Sequence, residues 1–244
     1  MKSVRKLVAR ALRKGARIID PPAETRAVED EGVTWLSYAI PGMLDPGNIY
    51  LMDYAIRNLP GAGRILEIGS FCGLSTNVIT HFKRLHGKRN PLITCDKWDF
   101  ENTNGRRALP NSPVLFSDYA AFARETYIRN IKMFSADDLP FTISLSSDEF
   151  FAAWKEGKSA TDVMGRPVKL GGPLSFCYID GNHTYEFAKR DFLNCDQFLE
   201  RGGFILFDDS TLPEFGVARL MPEIIAGGRY KLIAANPNHL FQKT

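Results

Sequence analysis

Apolar runs alternate with amphipathic segments along most of the chain from Arg64 onward. The apolar runs predict strands, and apolar residues at helical spacing between them predict helices. The predicted strands are 64–69, 91–96, 141–146, 173–180 and 202–209, and the predicted helices between them are 75–85, 117–134, 147–157 and 185–199. This alternation is typical of an α/β fold in which helices cover both faces of a parallel sheet.

The remaining segments complete the expected fold. Residues 229–243 predict two strands around a tight turn, so we expect a Rossmann-like, doubly wound, mostly parallel seven-stranded sheet with an antiparallel C-terminal edge hairpin. Residues 35–60 predict a loop and then a helix capped by Gly47 or Asn48 and ending near Pro60. We interpret 21–60 as a lid or cap segment and 61–244 as the main domain, with 97–118 as an insertion over the active site.

The first twenty residues form a segment of different character. MKSVRKLVARALRKGARIID carries seven Lys or Arg residues before its first acid, Asp20, and the whole chain has a formal charge of +3, which leaves about −4 on the rest. Apolar residues recur at helical spacing among the basic ones, which predicts a basic amphipathic helix over 1–20. The sequence allows four roles for this helix. Residues 1–19 could contact a membrane surface, dock to an acidic partner, serve as a transit segment, or pack on the domain or across a homo-oligomer.

Composition narrows the class of protein. A chain of 244 residues with 44% hydrophobic residues fits one globular domain with room for insertions. The cysteines (Cys72, Cys95, Cys177 and Cys195) have no paired spacing, which favours reduced, buried residues of a cytoplasmic protein. The sequence has no run that predicts a membrane span, and the acidic body argues against a nucleic-acid partner.

Polar residues gather where the predicted strands end. Glu67, Asp96, Ser146, Asp180 and the pair Asp208-Asp209 all fall at carboxyl ends of strands. In a parallel sheet those ends share one edge, where ligands bind. The sequence therefore predicts a ligand site at this edge.

The loop after the first strand, RILEIGSFCGLST, indicates which ligand binds there. Gly69 and Gly73 let the backbone approach a ligand, but G-x-x-x-G is not the G-x-G-x-x-G of a dinucleotide site. Glu67 before the first glycine would repel phosphate and attract a cation. Asp96 is placed to bind a ribose diol and Trp98 to cover an adenine. These features favour S-adenosylmethionine, with a purely structural turn as the alternative.

The sequence resembles a known family at two blocks. EIGSFCGLST is similar to the first motif of catechol O-methyltransferase-like enzymes, which are class I S-adenosylmethionine-dependent methyltransferases. YIDGNHTYEFAKRDFLNCDQFLERGGFILFDDS resembles the related branch of macrocin-type sugar O-methyltransferases. The resemblance implies that the cofactor contacts Glu67, Gly69, Ser70, Phe71, Gly73, Ser75, Asp96, Trp98, Ser146 and Asp180. The family has an acid near the adenine where this chain has Ser146-Ser147, which weakens that assignment.

The same resemblance implies a metal site and a base. Asp180, Asp208 and Asp209 correspond to the family's Mg²⁺ ligands, and hard oxygen ligands are what Mg²⁺ requires. Either of the paired acids has the alternative of capping the next segment or pairing with a basic residue. His183 matches the histidine of the sugar enzymes, and we expect it to take the proton of the acceptor hydroxyl. Its alternative role is a hydrogen bond that only holds the loop.

Three functions follow from these observations. The first is Mg²⁺-dependent methyl transfer from S-adenosylmethionine to a hydroxyl of a sugar, of a glycosylated small molecule or of a lipid-linked glycan. The second is a metal-independent O- or N-methyltransferase that relies on His183 alone. The third is a non-catalytic, membrane-associated binding protein. The aspartate cluster favours the first, because simple binding has no need of three carboxylates brought together.

Overall fold

The structure is a computed structural model that describes residues 25–99, 107–108 and 111–244. The helix predicted for 1–20 lies outside the described residues, as does a large part of the 97–118 insertion. The helices are α1 (Glu31–Ala39), α2 (Pro46–Arg57), α3 (Leu74–Leu85), α4 (Phe116–Phe134), α5 (Ser147–Lys155), α6 (Tyr185–Phe198) and α7 (Val217–Ala226). The strands are β1 (Arg64–Ile68), β2 (Leu92–Cys95), β3 (Phe141–Ile143), β4 (Ser159–Thr161), β5 (Pro167–Lys169), β6 (Leu174–Ile179), β7 (Leu199–Phe207), β8 (Tyr230–Ala235) and β9 (His239–Lys243).

The main sheet has seven strands in the order β3-β2-β1-β6-β7-β9-β8. The five strands from β3 to β7 are parallel, and β9 pairs antiparallel with both β7 and β8. The prediction of a mostly parallel sheet with an antiparallel closing hairpin is therefore confirmed. The hairpin departs from simple order, since β9 lies inside the sheet and β8 forms the edge.

The register aligns the carboxyl ends of the parallel strands. Ile68 of β1 pairs with Cys95 of β2 and with Ile179 of β6, and Ile179 pairs with Phe207 of β7. The ladder continues one residue further, because the Asp208 N–H donates to the Ile179 carbonyl at 3.0 Å. Residues that follow these strands are consequently brought to one edge of the sheet, as the sequence predicts.

Alternating side chains of the strands build a core on each face of the sheet. One face packs strand residues such as Leu66 and Ile205 with Trp154 of α5, Phe192 of α6 and Leu220 of α7. The other face packs the residues between them with α1, α2 and α3, through Leu36, Met52, Val78, Phe176 and Leu206. Helices on both faces explain why the parallel strands are apolar along their length.

Several local predictions need correction. The connection before α2 holds a helix, α1, whose N-cap is Asp30, and α2 is capped by Asp45 rather than by Gly47 or Asn48. Helix α3 begins at Leu74 after Gly73, so Ser75 lies inside its first turn. The hairpin β4–β5 and helix α7 were not predicted. In the described part of the chain, no helix is long and apolar enough to cross a membrane.

A buried lysine gives the fold a testable ion pair. The Lys83 side chain of α3 is only 1% exposed, and its Nζ lies 2.7 Å from Oδ2 of Asp138. The neighbouring Asp137 pairs instead with Arg84, and both partners of that pair are well exposed. Burying an ammonium without a partner is costly, whereas exposed pairs contribute little.

We expect Asp138→Ala to destabilise the protein by roughly 2 kcal/mol, which lowers Tm by about 4–8 °C in a chain of this size. Asp137→Ala is the matched control, and we expect its stability to stay within about 0.5 kcal/mol of the parent. Thermal and denaturant unfolding measure both. Equal losses in the two variants would show that Lys83 does not depend on Asp138.

Candidate active site

The loop between β1 and α3 adopts a shape that depends on glycine. Gly69 has a φ of +85° and Gly73 a φ of +90°. A Cβ on Gly69 would lie 2.0 Å from the carbonyl oxygen of Asp180, so the loop passes directly against the end of β6. Only a residue without a side chain allows that approach. The loop therefore presents backbone next to the strand ends where the acids lie.

Glu67 at the end of β1 is a buried carboxyl with one unsatisfied oxygen. Its Oε2 accepts hydrogen bonds from the hydroxyls of Thr76 at 2.5 Å and Ser70 at 3.4 Å. Its Oε1 has no hydrogen-bond partner within the described residues. Burial raises the pKa of Glu67 to about 7, and the Ser75 hydroxyl opposes this shift. Such a group gains from a nearby positive charge, which a sulfonium or amino group would supply.

Asp96 and Trp98 hold the glycine loop from the end of β2. Oδ2 of Asp96 accepts from the backbone N–H of Ser70 at 2.7 Å and of Phe71 at 2.9 Å, and its Oδ1 accepts from the Trp98 N–H at 2.7 Å. The Trp98 ring is buried against Tyr127, and its Nε1 donates to the Phe71 carbonyl at 2.8 Å. Both side chains thus support the loop, and their predicted contacts with ribose and adenine stay predictions.

Ser146 follows β3 and caps the next helix. Its hydroxyl accepts from the Glu149 N–H at 3.3 Å and donates to the Glu149 carboxylate at 2.6 Å. The helix predicted at 147–157 is thus capped by Ser146, with Ser147 as its first residue. These bonds explain a polar residue at this strand end without a ligand.

Asp180 and Asp208 place two carboxyl groups beside each other at the ends of β6 and β7. Burial, and secondly the charge of Asp208, hold the pKa of Asp180 well above its usual range. Oδ2 of Asp180 accepts from the Tyr178 hydroxyl at 3.2 Å. Among the described residues, neither carboxylate forms a salt bridge with a lysine or arginine. Within that part of the chain, the pair therefore lacks a positive partner.

Two asparagines hold Asp208 in place. Its Oδ1 accepts from the side-chain amide of Asn238 at 3.0 Å and from that of Asn48. Asn48 is fully buried, and its own Oδ1 has no hydrogen-bond partner in the described part of the chain. The sequence predicts neither residue as part of the site; a polar residue within the apolar stripe of α2 is the signal available for Asn48.

The oxygen atoms near the ends of β6 and β7 are of the type that Mg²⁺ binds, but their spacing does not form a complete metal site. Hard oxygen ligands of the kind that Mg²⁺ binds are present here. They are the carboxylates of Asp180, Asp208 and Asp209 and the side-chain amide oxygen of Asn48. Within residues 25–99, 107–108 and 111–244, however, no three Asp, Glu, His or Cys side chains stand at a spacing that would hold a metal ion. One oxygen of Asp208 also already accepts two amide donors.

His183 lies on the loop after β6, facing Asp209. Its Nδ1 is 3.3 Å from Oδ2 of Asp209, and its side chain is 36% exposed. The Phe215 ring packs against the imidazole with centroids 5.0 Å apart, and the Gly216 N–H donates to the His183 carbonyl at 2.9 Å. Asp209 has a φ of +50°, which is uncommon for a residue with a side chain and often marks functional sites. Burial, and then the charge of Asp208, raise the pKa of Asp209.

The carboxyl groups after β6 and β7 and the His183 imidazole open into one cleft with a volume of about 340 Å³, whereas Glu67, Asp96, Trp98 and Ser146 do not line it. The connection between α1 and α2 closes one side, and the loops after β1, β6 and β7 form the others. The lining residues are Gly42, Met43, Leu44, Ser70, Phe71, Leu74, Ser75, Asp180, His183, Asp208, Asp209 and Phe215. The cleft thus joins the predicted cofactor loop, the predicted metal ligands and the predicted base.

Comparison with known proteins identifies the family of the chain. A family model described as a methyltransferase domain matches residues 66–210, which span β1 to the end of β7. No curated protein sequence matches the chain significantly.

Solved structures with a similar fold include three methyltransferases. An O-methyltransferase from Bacillus cereus in complex with SAH is 13% identical with a TM-score of 0.55, covering 96% of this chain and 97% of its own. TomG from Streptomyces achromogenes, an O-methyltransferase of tomaymycin synthesis in complex with SAM, is 15% identical with a TM-score of 0.55, covering 89% and 92%. The calicheamicin enzyme CalS11, a TDP-rhamnose 3'-O-methyltransferase, is 14% identical with a TM-score of 0.53, covering 89% and 97%.

The family match covers more than half of the chain. The resemblance seen in the sequence is thereby confirmed. The chain belongs to the methyltransferase-domain family and has the class I fold that S-adenosylmethionine-dependent O-methyltransferases share.

Proposed function

We propose that this protein transfers the methyl group of S-adenosylmethionine to a hydroxyl of a sugar or a glycosylated small molecule. The observation that carries the proposal is the shared cleft, in which His183 and the three carboxylates line the same cavity as Ser70 and Phe71 of the glycine loop and Ser75 of α3. A cofactor bound against that loop would share the cleft with the imidazole. The known sugar enzyme CalS11 has the same fold.

His183 is the base in this proposal. A carboxylate 3.3 Å from Nδ1 favours the tautomer with its proton on that nitrogen, which leaves the Nε2 lone pair free. As the acceptor oxygen bonds to the methyl carbon, the carbon–sulfur bond breaks and its electron pair returns to sulfur. The acceptor proton passes to Nε2, and the Asp209 carboxylate stabilises the imidazolium that forms.

Mg²⁺ is the second part of the proposal, held by Asp180, Asp208 and Asp209. When bound, the ion supplies positive charge that offsets the repulsion between these carboxylates and makes a nearby hydroxyl more acidic. The proposal is supported by the absence of basic partners for Asp180 and Asp208 among the described residues. Asn48 and Asn238 hold the Asp208 side chain at the cleft.

A metal-independent methyltransferase is the second candidate. The occupied oxygen of Asp208 and the spacing of the three carboxylates favour it. In that case the His183–Asp209 pair alone removes the proton. Asp180 and Asp208 then bind no metal and only support the cofactor loop and the strand ends.

Calorimetric titration with S-adenosylmethionine and a measurement of methyl transfer test both candidates. Each is run with Mg²⁺ and again with a chelator. We expect binding in both conditions, and methyl transfer to nucleotide-sugar acceptors only with Mg²⁺. Turnover that survives exhaustive chelation would select the metal-independent enzyme. No cofactor binding in either condition would contradict the proposed function altogether.

A further inference from the structure

Helix α1 carries large apolar side chains on the side turned away from the protein. It buries Val33 and Leu36 against the domain, yet Trp35 is 73% exposed and Tyr38 is 87% exposed. Met43, in the connection that follows, is 86% exposed. We call Trp35, Tyr38 and Met43 the aromatic face. Exposed apolar groups clustered on one segment mark interaction surfaces, because solvated helix faces are normally polar.

The aromatic face adjoins the mouth of the catalytic cleft. Met43 is both exposed to solvent and part of the cleft wall, between Gly42 and Leu44. Trp35 and Tyr38 lie one turn apart on α1, the helix that leads into this wall. Whatever covers Met43 therefore lies beside the cleft in which the proposed reaction takes place.

The charge of the preceding sequence indicates what covers it. The segment 1–19 contains seven Lys or Arg residues and no acid, and it leads towards α1 through Pro21-Pro22. Exposed Trp and Tyr favour the boundary between lipid headgroups and acyl chains, and Lys and Arg are attracted to anionic headgroups. A single aromatic face with a basic segment before it suits an anionic bilayer.

We propose that the aromatic face docks on an anionic lipid bilayer, with the mouth of the cleft turned towards the headgroups. Trp35, Tyr38 and Met43 enter the interface, and the basic composition of the 1–19 sequence favours an anionic bilayer over a neutral one. The inference that the acceptor is a glycan carried on a lipid rests on the proposed function. The docking of the aromatic face on a bilayer does not rest on it.

Sedimentation with vesicles tests the docking on the full chain. Vesicles of phosphatidylcholine alone are compared with equimolar phosphatidylcholine and phosphatidylglycerol. We expect sedimentation with the anionic vesicles only, and a loss of roughly tenfold or more in partitioning for the triple variant Trp35→Ser, Tyr38→Ser, Met43→Ser. The double variant Phe122→Ser, Met133→Ser removes exposed apolar groups from α4 and is the matched control, expected to bind as the parent does.

Tryptophan fluorescence gives a second measurement on the parent protein. Of the three tryptophans, Trp98 and Trp154 are buried, so a blue shift on adding vesicles reports on Trp35. We expect Trp35→Phe to lose the shift and still sediment. No sedimentation of the parent, or unchanged sedimentation of the triple variant, would overturn the proposal. So would a concentration-dependent dimer that the triple variant abolishes, without vesicle binding, because the face would then pair two copies.

The outcomes also separate docking from catalysis. Calorimetry with S-adenosylmethionine is run on the double variant Trp35→Ser, Tyr38→Ser, which leaves Met43 in the cleft wall, and we expect this variant to keep the cofactor affinity of the parent. A parent protein that binds anionic vesicles but not the cofactor would leave the docking surface standing and remove the proposed function.

Discussion

Replacing His183 with glutamine is expected to lower kcat by about 10²–10⁴-fold, the usual contribution of a positioned general base. Glutamine keeps a polar side chain of similar reach on the loop but cannot take a proton near neutral pH. Because His183 faces Asp209 and the cleft, rather than the glycine loop, the affinity for S-adenosylmethionine should stay unchanged. Steady-state kinetics and calorimetry measure the two quantities separately.

His86→Gln is the control for this variant. His86 pairs with Asp53 at 2.6 Å on the α2–α3 side of the domain, outside the cleft lining, so its kcat should equal that of the parent. An unchanged kcat for His183→Gln would show that His183 only holds its loop, and the base would have to be sought elsewhere in the cleft.

Gly69→Ala should abolish cofactor binding and destabilise the fold. A Cβ there would lie 2.0 Å from the Asp180 carbonyl oxygen, and backbone atoms at a strand end have no room to move aside. The positive φ adds a penalty of about 1–2 kcal/mol. We expect a total loss of roughly 3 kcal/mol or more and a fall of at least about 100-fold in affinity for S-adenosylmethionine.

Gly165→Ala separates the two causes. Gly165, in the turn between β4 and β5, has a φ of +81°, close to the +85° of Gly69, but a Cβ there meets no atom within 4 Å. We expect Gly165→Ala to lose only the stability that the positive φ costs, and to keep full affinity for S-adenosylmethionine. Denaturant unfolding and calorimetry compare the pair. Similar losses in both would mean that the loop can retreat from β6 without harm.

The sequence predicts the sheet and its acidic edge because both follow from local pattern. Five strands are apolar along their length since helices cover both faces, and each stops where a polar residue reaches the sheet edge. Asp96, Asp180 and Asp208 were found for that reason. The confirmed strand register then brings them to one edge without further information.

The sequence does not predict contacts between residues that lie far apart along the chain. Asn48 reaches Asp208 from 160 residues away and Asn238 from 30, and nothing local marks either as a partner of a carboxylate. Helix α1 was missed for a related reason, since exposed Trp35 and Tyr38 obscure its amphipathic pattern. Helix α7 was missed with Pro222 in its interior. These features depend on packing rather than on periodicity.

The position of β9 between β7 and β8 also sets an order of events on the ribosome. A nascent chain that has completed β7 carries Asp208 beside an unpaired strand edge, since Asn238 and β9 are made only about thirty residues later. At ordinary rates of synthesis that interval is roughly 2–6 seconds. For that time the growing chain offers an open strand edge that another chain could pair with, and Asp208 has Asn48 but not yet Asn238 as an amide donor. Closure of the hairpin therefore completes the sheet and the catalytic edge in a single late step.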